Sequence, residues 1–180
     1  AQGLLAVEVG AERLEQLGDS GDVETVRKRE ADAREAYLAV AGMLSAGRGK
    51  AAKKLAAKVT EAMQALAMAG GSFEVALNPL AEGNSNGLEQ IEFLVSAHKG
   101  IAPRPLARVA SGGELSRISL AIQAVTNEIA RVPTLIFDEV DAGIGGRVAE
   151  IVGRMLKNLG KKHQVMSVTH LPQVAASADQ

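Results

Sequence analysis

Ser111-Gly112-Gly113-Glu114-Leu115-Ser116-Arg117, followed by Thr134-Leu135-Ile136-Phe137-Asp138-Glu139, decides how this 180-residue chain is read. The first stretch opens an apolar helix, since Leu115, Ile118, Ile122, Val125 and Ile129 recur at three- and four-residue steps. The second is a short apolar strand that delivers two adjacent carboxylates. A strand apolar on every residue belongs in a sheet covered on both faces. Pro133 ends the connection between helix and strand.

Downstream, Val148, Ile151, Val152, Met155, Leu156 and Leu159 predict another amphipathic helix. Val165-Met166-Ser167-Val168 predicts a second buried strand, and a short helix starts near Pro172. Strands alternating with helices make the fold class α/β, with parallel strands and right-handed crossovers. Upstream, Ser72-Phe73-Glu74-Val75-Ala76-Leu77 and Ile91-Glu92-Phe93-Leu94-Val95 read as the strands of an antiparallel hairpin. Asn78-Pro79 and Glu82-Gly83-Asn84-Ser85-Asn86-Gly87 read as the turn-rich loop between them. His98 reads as a solvent-facing loop residue, and Pro103 and Pro105 bracket an extended linker.

Residues 1–70 have a different character. Val23, Val26, Glu30, Ala33, Tyr37, Val40 and Leu44 form a narrow seam at coiled-coil spacing, which Asp22 could cap. Gly42, Gly47 and Gly49 are expected to loosen or interrupt this helix. A second seam follows at Ala52, Leu55, Val59, Ala62 and Leu66, ended by Gly70-Gly71. The chain therefore divides into a helical arm over 1–70, expected to pack on a partner helix, and an α/β lobe over 71–180.

Composition narrows the function. A single Tyr and three Phe leave few platforms for stacking nucleic-acid bases, and a formal net charge of -1 supplies no basic footprint. With no Cys there is neither a disulfide scaffold nor thiol chemistry, which fits a reducing, cytoplasmic setting. No apolar run is long enough to cross a bilayer, so no membrane partner is expected. The ends, Ala1-Gln2-Gly3 and Asp179-Gln180, read as those of a piece of something longer.

The chemistry gathers at strand ends, where α/β sheets bind their ligands. Asp138 directly after its strand can hold a magnesium shell, and Glu139 can orient or deprotonate a water. Helix capping is the plainer alternative for this pair. Thr169-His170 ends the next strand, where a structural hydrogen-bonding His is the plainer reading. Ser111, Gly112 and Gly113 offer a hydroxyl and unobstructed N–H groups at a helix N-terminus, an anion site by construction. Arg117 is either an electrostatic aid to a phosphate or a surface residue. Two decoys fall away. Gly42-Met43-Leu44-Ser45-Ala46-Gly47-Arg48-Gly49-Lys50 has Arg48 where a phosphate loop needs Lys and no strand before it. Asp19-Ser20-Gly21-Asp22 lacks the rest of a calcium loop.

Val109 to Arg117, Leu135 to Gly146 and Val168 to Ala176 together resemble the RecN family, bacterial DNA repair ATPases in the SMC-like branch of the ABC ATPases. The glycine loop is similar to the family's signature loop and Leu135 to Glu139 to its Walker B strand. Asp141-Ala142-Gly143-Ile144-Gly145-Gly146 and His170-Leu171-Pro172-Gln173-Val174-Ala175 make the match specific. The resemblance implies ATP and Mg2+ as cofactors, with Asp138 on the metal and Glu139 and His170 catalytic, as general base and γ-phosphate sensor. It also implies that Ser111, Gly112 and Gly113 touch the γ-phosphate held by a second head in a homodimer. Asp141 would belong to a loop crossing that dimer interface. The family's lysine loop (Walker A) does not occur in these 180 residues, so a partner N-terminal head segment is expected to supply it. DNA is the implied partner of the complete, nucleoid-associated protein. Two other readings stay open: a structural or dimerisation module without catalysis, and a transporter-type nucleotide domain.

Overall fold

The computed structural model describes residues 23–109, 111–126 and 132–179. Ile129, the Asp22 cap and the Asp19 to Asp22 decoy lie outside them. Helix α1 spans Val23–Ala65, 43 residues without a break, about 65 Å at 1.5 Å per residue. The expected interruption at Gly42, Gly47 and Gly49 is absent. A glycine costs a helix only about 1 kcal/mol relative to Ala, and here side chains flanking the glycines are fastened to the rest of the chain. The Tyr37 hydroxyl reaches the carbonyl oxygens of Asn84 (3.0 Å) and Gly87 (3.1 Å). Arg48 donates to the Asn86 carbonyl at 2.6 Å and pairs with Glu89 at 3.3 Å, and the Ser45 hydroxyl also donates to Glu89.

The first seam is exposed among the described residues, with Val23, Val26 and Val40 all more than half open to solvent. The second is not. Val59 and Met63 are fully buried, and with Leu66 and Met68 they join the core of the lobe. The helix stops at Ala65, short of the expected Gly70-Gly71. Gln64 closes the turn that follows, accepting from the Gly70 N–H (2.7 Å) and donating to the Gly71 carbonyl (3.0 Å).

Strands β1 (Ser72–Asn84) and β2 (Gly87–Ser96) pair antiparallel from Ser72 opposite Ser96 to Asn84 opposite Gly87. The connection is therefore only Ser85-Asn86, and most of the expected loop is strand. Pro79 is tolerated because β1 is an edge strand, and a register irregularity between Pro79 and Asn84 takes up the distortion. Strand β3 (Arg104–Pro105) adds to β2, and one 3₁₀ turn (Leu106–Arg108) leads towards the glycine loop.

Helix α2 (Gly112–Thr126), β4 (Thr134–Phe137), α3 (Gly146–Gly160), β5 (Gln164–Ser167) and α4 (Pro172–Ala175) follow in the expected alternation. Strands β4 and β5 are parallel, with Ile136 beside Met166. Leu135 and Phe137 enter the core alongside Phe73, Ile118, Leu120 and Val152. The opposite face of this pair is open: Ile136 is 71% exposed, Met166 52% and Val168 65%. Among the described residues the sheet is thus covered on one face, against the expectation of two.

The glycines supply a contrast. An added Cβ at Gly42 meets nothing within 4 Å, whereas at Gly71 it would lie 2.6 Å from the Ser96 and Ala97 carbonyl oxygens. Gly42→Ala should stabilise the chain by about 0.5–1 kcal/mol and Gly71→Ala should destabilise it. Urea unfolding of both variants checks this, and destabilisation by Gly42→Ala would contradict the continuous helix.

Candidate functional site

Ser111 caps α2. Its hydroxyl accepts from the Glu114 N–H at 3.3 Å and its carbonyl accepts the first helical bond, from Leu115, at 3.0 Å. The N–H groups of Gly112 and Gly113 then stand in the first turn, where helix geometry gives them no internal partner. A Cβ on Gly112 would meet the Glu139 carboxylate, and one on Gly113 would sit 2.9 Å from the Ala142 Cβ and 3.2 Å from the Glu139 carbonyl oxygen. The glycine loop is therefore pressed directly against the turn that follows β4.

That turn carries the carboxylates. Asp138 and Glu139 are both exposed. Glu139 has a φ of 56°, a left-handed backbone that few non-glycine residues adopt and that marks a geometry imposed by its surroundings. The surroundings are specific. The Ser116 hydroxyl donates to the Asp138 carbonyl, the Ala142 N–H closes the turn on the Glu139 carbonyl at 3.0 Å, and Arg117 Nη1 donates to the Ala142 carbonyl at 2.7 Å. Arg117 is only 8% exposed. Burial pulls its pKa below the usual arginine range, with the Glu114 charge offsetting part of that; the guanidinium stays charged. The reading of Arg117 as a surface residue does not hold, because the side chain is buried. Its side chain supports the turn.

Asp141 is buried at 2% exposure. One carboxylate oxygen accepts from the Thr169 hydroxyl, the His170 N–H (3.0 Å) and the Leu171 N–H (3.3 Å). The other lies 3.4 Å from His170 Nδ1. Burial would raise its pKa, but the Thr169 hydroxyl, the His170 N–H and the nearby imidazole outweigh it and hold the carboxyl below the usual range. The side chain points inward and fastens the loop after β5. His170 remains 68% exposed at the mouth. His98, expected in solvent, is half open and lies 3.6 Å from Glu114.

Ser111, Gly112, Gly113, Asp138, Glu139, Asp141 and His170 line one open cleft of about 480 Å³, joined by Ala142, Val168 and Thr169. Of the residues singled out in the sequence, only Arg117 stands behind its wall. Sequence reasoning missed Ser116 and the role of Thr169, and no spacing or motif in the sequence signals either. The cleft has amides for an anion and free carboxylates for a cation. Among the described residues no cluster of three or more His, Asp or Glu forms a metal cage. A magnesium ion fits all the same, since it binds through one or two carboxylates with substrate phosphates and water. Asp138 and Glu139 are the exposed carboxylates of the cleft.

No family model matches the chain. Individual relatives do. It is 46% identical over 166 residues to the DNA repair protein RecN of Haemophilus influenzae, covering 92% of this chain and 30% of that protein. It is 47% identical over 150 residues to RecN of Xylella fastidiosa (82% and 27%), and 42% over 189 residues to RecN of Mycobacterium leprae (93% and 32%). Among solved structures, the Smc head domain with a coiled coil and joint from Pyrococcus yayanosii superposes with a TM-score of 0.52 at 21% identity, over 99% of this chain and 31% of that one. The chain spans about three-tenths of the length of the RecN relatives it matches. Over that stretch it belongs to the RecN family, and its fold is that of the C-terminal lobe of an SMC-type head with its attached helix.

Asp141→Asn exchanges an acceptor for an amide facing three donors and should cost about 1–3 kcal/mol. The folded carboxyl titrates below its unfolded value of about 3.9. The wild-type advantage is therefore whole above that pH and is lost as pH falls through the lowered folded value. Denaturant unfolding of both proteins from neutral pH into acid should show the gap closing only there. A gap that widens in acid would contradict the assignment.

Proposed function

We propose that this RecN-family chain is the C-terminal part of an SMC-like ATPase that acts in DNA double-strand break repair and recombination. ATP would be sandwiched between two heads and hydrolysed to reopen them. The observation that carries this reading is the convergence of Ser111, Gly112, Gly113, Asp138, Glu139 and His170 on one cleft open to solvent.

The roles follow from what each group has left to offer. The Gly112 and Gly113 amides take a γ-phosphate presented by the opposite head. A magnesium ion at Asp138 would neutralise phosphate charge during transfer. Glu139 is exposed, and its carboxylate, with no hydrogen-bond partner among the described residues, is free to accept a proton from the attacking water. His170, held through its N–H and ring by Asp141, presents its other ring nitrogen towards the γ-phosphate. The phosphate-cradling lysine would come from an N-terminal head segment. The open face at Ile136, Met166 and Val168 supports such a partner, because parallel sheets are covered on both faces. Residues 1–70 would be the returning arm, its last turns rooted in the lobe core, and 71–180 the lobe itself. The complete protein would work on DNA in the cytoplasm, at the nucleoid.

Single-turnover ATP hydrolysis by this chain mixed with the N-terminal head segment tests the reading. Glu139→Gln should slow it by roughly 10² or more while ATP still binds. Full activity in that variant, or none in an associated wild-type mixture, would sink the proposal.

A further inference from the structure

Arg117 is, among the described residues, the one buried cation of the lobe, and the chemistry above does not use it. It leaves α2 six residues after Ser111 and ends on the Ala142 carbonyl at 2.7 Å. Its Nη1 also fills the space beside Gly113, 3.2 Å from where a Cβ would stand. Its Nε is buried without a partner, so the side chain is committed to this one joint at some cost in solvation. Ser116, the neighbouring residue on the helix, donates to the Asp138 carbonyl. Helix α2 thus holds the turn carrying Asp138 and Glu139 at both ends.

The same turn closes on the glycine loop from the other side. The Glu139 carboxylate lies against Gly112, in space that a phosphate on the Gly112 and Gly113 amides would crowd with like charge. Loop and carboxylate cannot be occupied and placed independently. Resting on the reading of ATP held between two heads, each nucleotide is served by Glu139 of one head and the glycine loop of the other. One lobe therefore contributes to both sites through a single packed joint.

The geometry points to Arg117 as a positioning residue that couples a head's glycine loop to its own Glu139, so that phosphate taken by the loop at one site sets the base acting at the other. Arg117 touches neither nucleotide. Its guanidinium fixes Ala142, and through the turn the backbone of Glu139, relative to α2.

Mixed dimers of the complete protein separate this from a local role. The reference pairs a wild-type head with a Glu139→Gln head, leaving one active base, on the wild-type head. Adding Arg117→Met to the head with the active base leaves the facing glycine loop untouched. Coupling predicts single-turnover hydrolysis slowed roughly tenfold or more there, with ATP affinity changed less than about twofold. If Arg117 only shaped its own loop, that dimer would match the reference, and the loss would appear only with Arg117→Met on the Glu139→Gln head. That outcome overturns the proposal. If the Met variant does not assemble, Arg117→Lys, with its charge kept and its planar fork lost, should show the same asymmetry at roughly threefold; a symmetric result there also overturns it. A Glu139→Gln homodimer as active as wild type would instead reject the assigned base, a failure distinct from failure of the coupling.

Discussion

Asp141 carries a full negative charge to a position where 2% of its surface meets water. A buried carboxylate is tolerable only when its lone pairs are engaged. Here the donors are the Thr169 hydroxyl and two consecutive N–H groups, with the His170 imidazole beside them, all from the loop after β5. The constraint runs both ways. The loop after β5 has no regular structure until Pro172, and Asp141 gives its amides a destination. The turn after β4 is fixed in turn by α2, through Ser116 and Arg117. Remove the carboxylate and the turn after β4 and the loop after β5 lose their common reference point. The exposed groups of the cleft owe their placement to this inward-facing scaffold more than to contacts of their own.

The strongly local features were legible in the sequence. Leu115, Ile118 and Ile122 announced α2 by spacing, Leu135-Ile136-Phe137 announced a core strand, and the carboxylates after it were placed at a strand end, where they stand. The misreadings share a cause. Gly42, Gly47 and Gly49 were weighed by propensity, but the helix through them is secured by Tyr37, Ser45 and Arg48 reaching a hairpin some forty residues away. The stretch from Asn78 to Gly87 was weighed by its turn-forming residues, but edge position makes Pro79 acceptable and pairing across the strands prevails. The inward turn of Arg117 and Asp141 is not legible in the local sequence, since charged residues mostly face solvent. Nothing in their immediate neighbours reveals that Ala142 and Thr169 wait for them inside.

The open face of the β4–β5 pair deserves a physical reading of its own. Ile136 and Met166 sit side by side in register, with Val168 just beyond, so the exposed apolar surface is one continuous strip. Scattered apolar residues on a surface need no explanation, but a strip along a parallel pair does. The cleft residues project from the ends of these same two strands. Whatever covers the strip must therefore come within reach of Asp138 and His170.

The hairpin brings the arm into this argument. Its base is in the core through Phe73 and Val95, its tip grips α1 at Tyr37 and Arg48, and β2 runs on through β3 and the 3₁₀ turn to Ser111. The second half of α1 is itself core, since Val59 and Met63 have no exposed surface. The helix is thus attached at two points well separated along its length, the core and the hairpin tip. A rod held at two such points resists tilting in a way that a rod held at one does not. Any tilt of the arm must either break the Tyr37 and Arg48 contacts or carry the hairpin with it. Beyond Ser96 the hairpin's chain runs on through β3 and the 3₁₀ turn towards the glycine loop.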